Sequence, residues 1–294
     1  MIIIIVVVAI LLVYTGLTAY GAKRSMEIPR QLLEVSADST GLEYENVAFT
    51  SREDSVLLKG WYFPGGETAI IIANGGFNPR VDDNSDTLGL TGELVKKGYS
   101  VLLFDFRGRG ESEGEGLSLS NIDEDIGGTY DYLMDRGHNL ERICLLGFCS
   151  GAVQACIYAS RNEMGVLILD GCFLSVPTMV VREAATTTAP EFLARIFIPG
   201  LFLMTKLLYG YEMINPIDVV SKIQCPTLFI HEENDEFTTL EETERLYNAS
   251  SNPANEIWEV SGSEHSQAFR NYPEEYVNKI HGFIMKHAGK TPSE

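Results

Sequence analysis

Basic residues are scarce in this sequence, and its cysteines lack the spacings of a metal site or a disulfide framework. The chain has 22 Lys and Arg against 41 Asp and Glu, which gives a formal net charge of −19. So acidic a chain should repel phosphate backbones, and we expect no nucleic-acid partner. Its five cysteines are an odd number and contain no C-x-x-C pair. This favours a reducing compartment and predicts no metal site.

The sequence also contains no internal repeat and no low-complexity tract. With 45% hydrophobic residues among 294, it is too apolar for a disordered chain and long enough to bury a large core. A prior of one domain per ~150 residues would suggest two domains, but α/β enzymes often reach this length as one.

The first 22 residues carry no charged side chain, and the first charges are Lys23 and Arg24. About 20 apolar residues in a helix span the ~30 Å hydrocarbon core of a bilayer. Residues 1–22 are therefore predicted to be an uncleaved, single-pass membrane anchor. The alternative is a signal peptide cleaved near 19–21, but such peptides carry basic residues before the apolar run. Because Lys23, Arg24 and Arg30 follow the helix, the positive-inside rule places the remaining chain in the cytoplasm.

After a polar connector at 23–45, a domain is predicted over 46–290, in which short β-branched runs alternate with helical patterns. Several of these runs are continuously apolar, as strands buried on both faces of a parallel sheet are. The pattern predicts an α/β fold with a mostly parallel, doubly wound sheet. The predicted strands are 57–63, 69–73, 100–106, 142–147, 166–170, 227–231 and 256–260. The predicted helices are 90–97, 121–136, 151–161, 240–249 and 274–287.

One interval, about 173–222, interrupts this alternation. It contains no good strand, although a structureless loop of that length would be unusual in a compact domain. Its most apolar part, 196–208, has one charged residue, Lys206. Thirteen residues are too few to span a bilayer, so this part should be buried or interfacial. The interval is predicted to be an inserted helical lid.

A predicted strand runs directly into a predicted helix around Cys149, with Gly147 and Gly151 two residues away on either side. In a nucleophile elbow the central residue lies on a strained turn that closes only if such neighbours are small. If Ser150 were central, Phe148 would occupy one of these positions, where it does not fit. The spacing thus places Cys149 at the tip, where the helix N-terminus favours a thiolate. The alternative is that Cys149 is a small core residue.

With this elbow, residues 43–287 resemble the α/β-hydrolase family, with Cys149 where most members have serine. In having a cysteine at this point, the chain is similar to dienelactone hydrolases and to bile-acid acyltransferases of the same fold. The stretch 105–112 also matches the family's D-x-R-G-x-G-x-S turn, whose role there is structural. The resemblance implies an α/β-hydrolase fold with a triad in the chain order nucleophile, acid, base.

For the acid, Asp235 follows the predicted strand 227–231 as the family's pattern requires. Asp170 is the alternative, because some relatives place the acid at the end of that earlier strand. For the base, His265 lies in a Gly-containing loop after the last strand, like the family's catalytic histidine. The other four histidines precede the nucleophile, lie within a strand or belong to the terminal helix.

Acyl chemistry also needs hydrogen-bond donors for the oxyanion. The resemblance implies the backbone N–H of Ser150 as one donor. The second would come from the loop after strand 69–73, where relatives carry His-Gly-x. Here that donor would be Gly76, with the neighbouring Phe77 as the other option. Asn74 replaces the usual histidine, so this loop departs from the family's pattern.

Together these features predict a hydrolase of carboxylic esters or thioesters that acts through an acyl intermediate on Cys149, without metal or organic cofactor. The expected substrate is a small, apolar acyl compound, for which 196–208 would line the pocket or touch the membrane. Two alternatives remain. One is an acyltransferase with an amine or alcohol acceptor, since thioesters suit aminolysis. The other is a non-catalytic binding protein on a hydrolase fold.

Overall fold

The computed structural model describes residues 1–27, 29–52, 54–115, 122–187, 190–211 and 213–289. Its strands are β1 (Glu45–Thr50), β2 (Leu57–Phe63), β3 (Ala69–Ala73), β4 (Ser100–Phe104), β5 (Ile143–Phe148), β6 (Val166–Asp170), β7 (Thr227–Glu232) and β8 (Glu256–Val260). They form one sheet in the order β1-β2-β4-β3-β5-β6-β7-β8. The two β2 pairings are antiparallel, and the strands from β4 to β8 pair in parallel. The α/β-hydrolase fold is confirmed.

Helices cover both faces of this sheet. The helices of the described residues are α1 (Ile2–Met26), α2 (Thr87–Lys96), α3 (Ile122–Asp135), α4 (Ser150–Ala159), α5 (Val176–Thr187), α6 (Glu191–Tyr209), α7 (Pro216–Val219), α8 (Leu240–Ala249), α9 (Ala268–Asn271) and α10 (Pro273–His287), of which α1 packs on α6. Every residue of β3, β4, β5 and β6 is buried. Neighbouring residues such as Ile70 and Ile71 enter different core clusters, one on each face. The predicted apolar strands therefore have the two-sided burial expected of them.

Several element boundaries differ from the prediction by a few residues, one strand was not predicted, and two predicted boundaries lie outside the described residues. The sequence analysis missed β1, an edge strand that exposes most of its side chains and so has no apolar run to detect. The N-terminal helix continues to Met26 instead of ending at Ala22, because both of these residues pack against protein. The predicted helix start at Asn121 and the domain end at 290 fall on residues that are not described.

By length and composition, α1 is apolar enough to cross a membrane. Beyond it, the connector is tied to the domain by Arg30, whose guanidinium donates to the backbone carbonyls of Gly110, Ser112 and Gly114. Helices α5, α6 and α7 occupy the interval between β6 and β7 that the sequence assigned to a lid. Pro199 lies inside α6 without ending it.

Candidate active site

Cys149 lies at the turn between β5 and α4, with φ 54° and ψ −123°. A positive φ is strained for a residue with a side chain, and such strain is concentrated at functional sites. The turn is held by the Cys149 N–H, which donates to the Asp170 carbonyl at 2.9 Å. A Cβ on Gly147 would lie 2.6 Å from the Ala152 Cα, and one on Gly151 would collide with the Ala73 carbonyl. Both flanking glycines are therefore sterically required, as the elbow pattern predicts.

Ser150 is the first residue of α4, and its hydroxyl has a partner away from the elbow tip. The Gly76 N–H donates to Ser150 Oγ at 2.7 Å. The loop that contains Gly76 lies close to the elbow, since a Cβ on Gly75 would be 2.5 Å from the Cys149 Cβ and 3.1 Å from the Ser150 nitrogen. The structure thus brings the two predicted oxyanion segments together. It also shows the Gly76 N–H engaged by a side chain, which the sequence did not indicate.

Asn74, which stands where relatives have histidine, is buried and holds its own loop. Its Nδ2 donates to the Pro79 carbonyl at 3.1 Å, while its Oδ1 makes no hydrogen bond within the described ranges. Phe77, the other predicted donor residue, has a side chain that is 39% exposed at the rim of the loop.

His265 and Asp235 form a close pair, with 2.6 Å between Nδ1 and Oδ2. Asp235 is fixed from its other side. Its Oδ1 accepts from the backbone N–H groups of Phe237 and Thr238 at 2.6 and 2.9 Å, and its Oδ2 accepts from Thr238 Oγ1 at 2.5 Å. Burial alone would raise the pKa of this carboxyl, but its bonds to His265 and Thr238 lower it below the usual range. Asp235 is therefore held as a carboxylate against the imidazole of His265.

The other ring nitrogen of His265, Nε2, is buried and has no hydrogen bond of good geometry among the described residues. Burial lowers the pKa of His265, but its interactions with Asp235 and with the Cys149 thiol prevail and raise it to about 10. Phe173 stacks on the ring with 5.8 Å between centroids, and Phe237 lies at 5.0 Å. The imidazole is thus held between two aromatic rings and interacts with the thiol at the elbow.

Asp170, the alternative acid, is in a different environment. It is completely buried, and its Oδ2 accepts a 2.7 Å hydrogen bond from Tyr276 Oη. Burial raises the pKa of Asp170. The pKa of Glu232 is raised well above its usual range, because Glu232 is buried and lies near the charge of Asp170. The sequence analysis did not find this carboxyl pair. The available signal was a glutamate at the end of a strand whose central residues are apolar.

Two of the remaining histidines and the D-x-R-G-x-G-x-S turn make structural hydrogen bonds. His138 and His281 are hydrogen-bonded to tyrosine hydroxyls at 3.0 and 2.7 Å. In the turn, the buried Asp105 accepts from the backbone and guanidinium of Arg80 and from the backbone N–H of Glu111. Within the described parts of the chain, no cluster of three His, Cys, Asp or Glu could hold a metal ion.

Known proteins that are similar to this chain support the same fold. Residues 69–208 match the family described as serine aminopeptidase, S33. The uncharacterized protein YfhR of Salmonella typhimurium is 26% identical over 251 residues, which cover 78% of this chain and 77% of that protein. YfhR of Escherichia coli O157:H7 is 28% identical over 252 residues, covering 80% of each. The esterase Pf2001 of Pyrococcus furiosus superposes with a TM-score of 0.77 at 25% identity, covering 90% of this chain and 99% of that one.

The chain therefore has the α/β-hydrolase fold, and the matched family and the esterase neighbour support an enzyme of the hydrolase class. The matched family is named for serine, whereas the elbow tip of this chain is a cysteine with a serine directly after it.

Proposed function

We propose that this protein hydrolyses carboxylic esters or thioesters through a covalent acyl intermediate on Cys149. One observation carries the proposal: the positive-φ elbow tip holds a thiol that interacts electrostatically with His265, and His265 Nδ1 lies 2.6 Å from Asp235 Oδ2. That set of contacts is the arrangement of a nucleophile, its base and the group that orients the base. The esterase activity named for the Pyrococcus furiosus relative supports an ester substrate.

The proposed reaction has two steps. The Cys149 sulfur attacks the carbonyl carbon, and His265 holds the thiol proton while the carbonyl oxygen becomes an oxyanion. The C–O or C–S bond to the leaving group then breaks, and His265 delivers the proton to the departing oxygen or sulfur. In the second step His265 takes a proton from water, the hydroxide adds to the thioester carbonyl, and the acid leaves as Cys149 is regenerated.

The Ser150 N–H is the first proposed oxyanion donor, since it begins α4 beside the elbow tip. The Gly76 N–H is the second, although in this structure it binds Ser150 Oγ. An arriving substrate oxygen would take the place of that hydroxyl. Phe77 stays the neighbouring option.

The test is a set of three variants assayed by kcat/KM on one activated ester. Cys149→Ala should lose on the order of 10⁴-fold or more, as for other triads. Cys149→Ser should be weak, since an alkoxide is harder to form. Ser150→Ala should keep much of the activity, because only its backbone N–H is used. Full activity of Cys149→Ala with loss in Ser150→Ala would move the nucleophile to Ser150.

Thiol labelling gives a separate check. Cys149 is half-buried, whereas the other four cysteines are buried. Burial raises the pKa of Cys156 and of Cys225 to about 12. Iodoacetamide at neutral pH should therefore alkylate Cys149 first and abolish turnover in proportion. A Cys149 that resists labelling would favour the non-catalytic alternative, and products that require an added amine or alcohol would favour acyl transfer.

We also propose that α1 is retained as a membrane anchor, with the hydrolase domain in the cytoplasm. The helix has 25 residues and a mean hydropathy of 2.8 over its most apolar window. Lys23 and Arg24 are exposed at its C-terminal end, on the side that the positive-inside rule assigns to the cytoplasm. The full-length protein should resist carbonate extraction and keep its N-terminus. A soluble mature chain starting near Ala22 would refute this.

A further inference from the structure

The lid helix α6 exposes an apolar surface that a water-soluble enzyme would bury. Residues 192–209 have a mean hydropathy of 1.5, yet only 17% of them are buried. Ile196 is 55% exposed and Leu207 is 66% exposed. The other strongly exposed apolar residues of this helix are Phe192, Leu203 and Leu208. Contiguous apolar patches of this kind mark an interaction surface.

Helix α6 packs lengthwise on α1, the candidate membrane span. The Tyr14 ring stacks on Phe197 with 5.3 Å between centroids, and the Tyr14 hydroxyl donates to the Ile196 carbonyl at 2.9 Å. At the other end, Tyr209 Oη donates to Glu27 at 3.1 Å. The paired residue numbers rise together, so the two helices run in the same direction side by side.

A glycine lets the two helices approach closely. A Cβ on Gly200 would lie 2.6 Å from both Thr18 Cγ2 and Tyr14 Oη. Small residues at such crossings are typical of helix pairs packed within membranes. Between the helices lies a cleft of about 340 Å³. Its lining residues are Ala9, Ile10, Val13, Tyr14, Leu17 and Phe197. The sequence analysis placed 196–208 along an acyl pocket, and the apolar cleft described here lies between that segment and α1.

Because α6 packs along α1, the depth of α6 in a bilayer is determined if α1 crosses that bilayer. Residues 196–203 lie beside 14–21 of α1, which belong to its charge-free stretch. Tyr209 lies beside Glu27, among the charged residues at the C-terminal end of α1, and Lys206 precedes Tyr209 by about one helical turn. A lysine and a tyrosine at that level are the usual interfacial pair. Near the N-terminus of α6, Arg195 has a partner within the structure.

The lid is also joined to the candidate triad. Phe173, at the start of the interval, stacks on His265. From α5, Arg182 donates to the Phe237 carbonyl at 2.8 Å and pairs with Glu242, and Phe237 lies against the His265 ring. The polypeptide that continues into α6 therefore borders the catalytic imidazole.

We propose that α6 is embedded in the same bilayer as α1 and that the enzyme takes acyl esters of membrane lipids directly from that bilayer. This inference rests on the proposed hydrolase function and anchor. The exposed side chains of α6 face lipid tails, and the α1–α6 cleft holds an acyl chain. An ester bond of a lipid in that leaflet then reaches the elbow without crossing water.

The depth of α6 is tested by fluorescence of the full-length chain in phosphatidylcholine vesicles with brominated acyl chains. Ile196→Trp should be quenched strongly and Leu207→Trp less, because the second lies near the interface. Met285→Trp is the matched control, since Met285 on α10 is also 66% exposed but belongs to the domain surface. Its quenching should equal the background from the two native tryptophans. Equal quenching at 196 and 285 would overturn the proposal.

Substrate delivery is tested with two esters in the same vesicles: a water-soluble short-chain activated ester and a long-chain phospholipid. The double variant Leu203→Glu, Leu207→Glu should lose at least tenfold more turnover on the phospholipid than on the soluble ester, and Met285→Glu should change neither. Turnover of the soluble ester by the native chain without phospholipid turnover would refute the lipid inference alone. Failure on both esters would refute the proposed hydrolase function. If the double variant does not fold, the quenching experiment decides the matter.

Discussion

Asp170 ends β6 and Asp235 follows β7, the neighbouring parallel strand, and the two carboxyl groups have opposite surroundings. Asp235 accepts from two backbone N–H groups, a hydroxyl and an imidazole. Asp170 has a tyrosine hydroxyl on one oxygen and a second carboxyl, Glu232, nearby. The pKa is lowered in the first case and raised in the second, where burial is the largest cause.

This difference shows what selects the acid of the triad. Both positions are compatible with the chain order, and both carboxyls are buried, so neither location nor burial separates them. Only Asp235 has donors enough to remain ionised beside a histidine, and an ionised partner is what stabilises an imidazolium. Burial raises the pKa of Asp170, so its ionised form is less favoured than that of Asp235.

The largest expected effect comes from exchanging each aspartate for asparagine. Backbone donors hold Oδ1 of Asp235, so the new NH₂ group of Asp235→Asn would face His265 Nδ1 and force the wrong tautomer. We expect kcat/KM to fall on the order of 10⁴-fold, as for the same change in a serine triad. Asp170→Asn should stay within about tenfold of the native enzyme. The reverse ranking on one activated ester would make Asp170 the acid.

The second prediction concerns the proton on His265. Its pKa of about 10 depends on Asp235 and Cys149 acting against burial. In Asp235→Asn the burial contribution should prevail, so His265 should lose its proton at clearly lower pH. Titration of ¹³C-labelled histidine by NMR measures this directly, with His265→Gln to assign the signal. An unchanged titration midpoint would mean that Asp235 does not control the imidazole charge.

The elbow could be predicted because its signal is local, whereas the order nucleophile, acid, base was implied by the resemblance to the α/β-hydrolase family. Two glycines at fixed spacing around Cys149 report a turn whose sterics the structure reproduces, and continuous apolar runs report buried strands. The Asp170–Glu232 pair could not be predicted, because it joins the ends of two strands that are distant in sequence. The contact of Tyr14 with Phe197 could not be predicted either, because it depends on where the lid packs relative to α1. Edge strand β1 was missed because it buries little.

The third prediction separates the two carboxyl groups by stability. The raised pKa of Glu232 means that the folded state keeps a proton that the unfolded chain releases above about pH 4.3. The free energy of unfolding should therefore fall as the pH rises above that value. Glu232→Gln has no such proton to lose, so its Tm should exceed that of the native protein by a margin that grows from pH 5 to pH 9. A margin that is constant with pH would contradict the assignment.

The smallest expected effect is that of Tyr276→Phe, which removes the hydroxyl donated to Asp170 Oδ2 and keeps the ring. The Asp170 Oδ1 already has no hydrogen bond among the residues described, so the variant would leave both oxygens of a buried carboxyl without a strong donor. We expect a loss of about 1–3 kcal/mol in the free energy of unfolding, measured by urea denaturation. Because the hydroxyl favours the ionised form of Asp170, its removal should raise that pKa further and make the loss larger at pH 9 than at pH 5. The kcat/KM on an activated ester should stay within a few-fold of native, since His265 takes its orientation from Asp235. A variant that unfolds normally but loses its esterase activity would show that Asp170, Glu232 and Tyr276 help to orient His265 and that Asp235 does not do so alone.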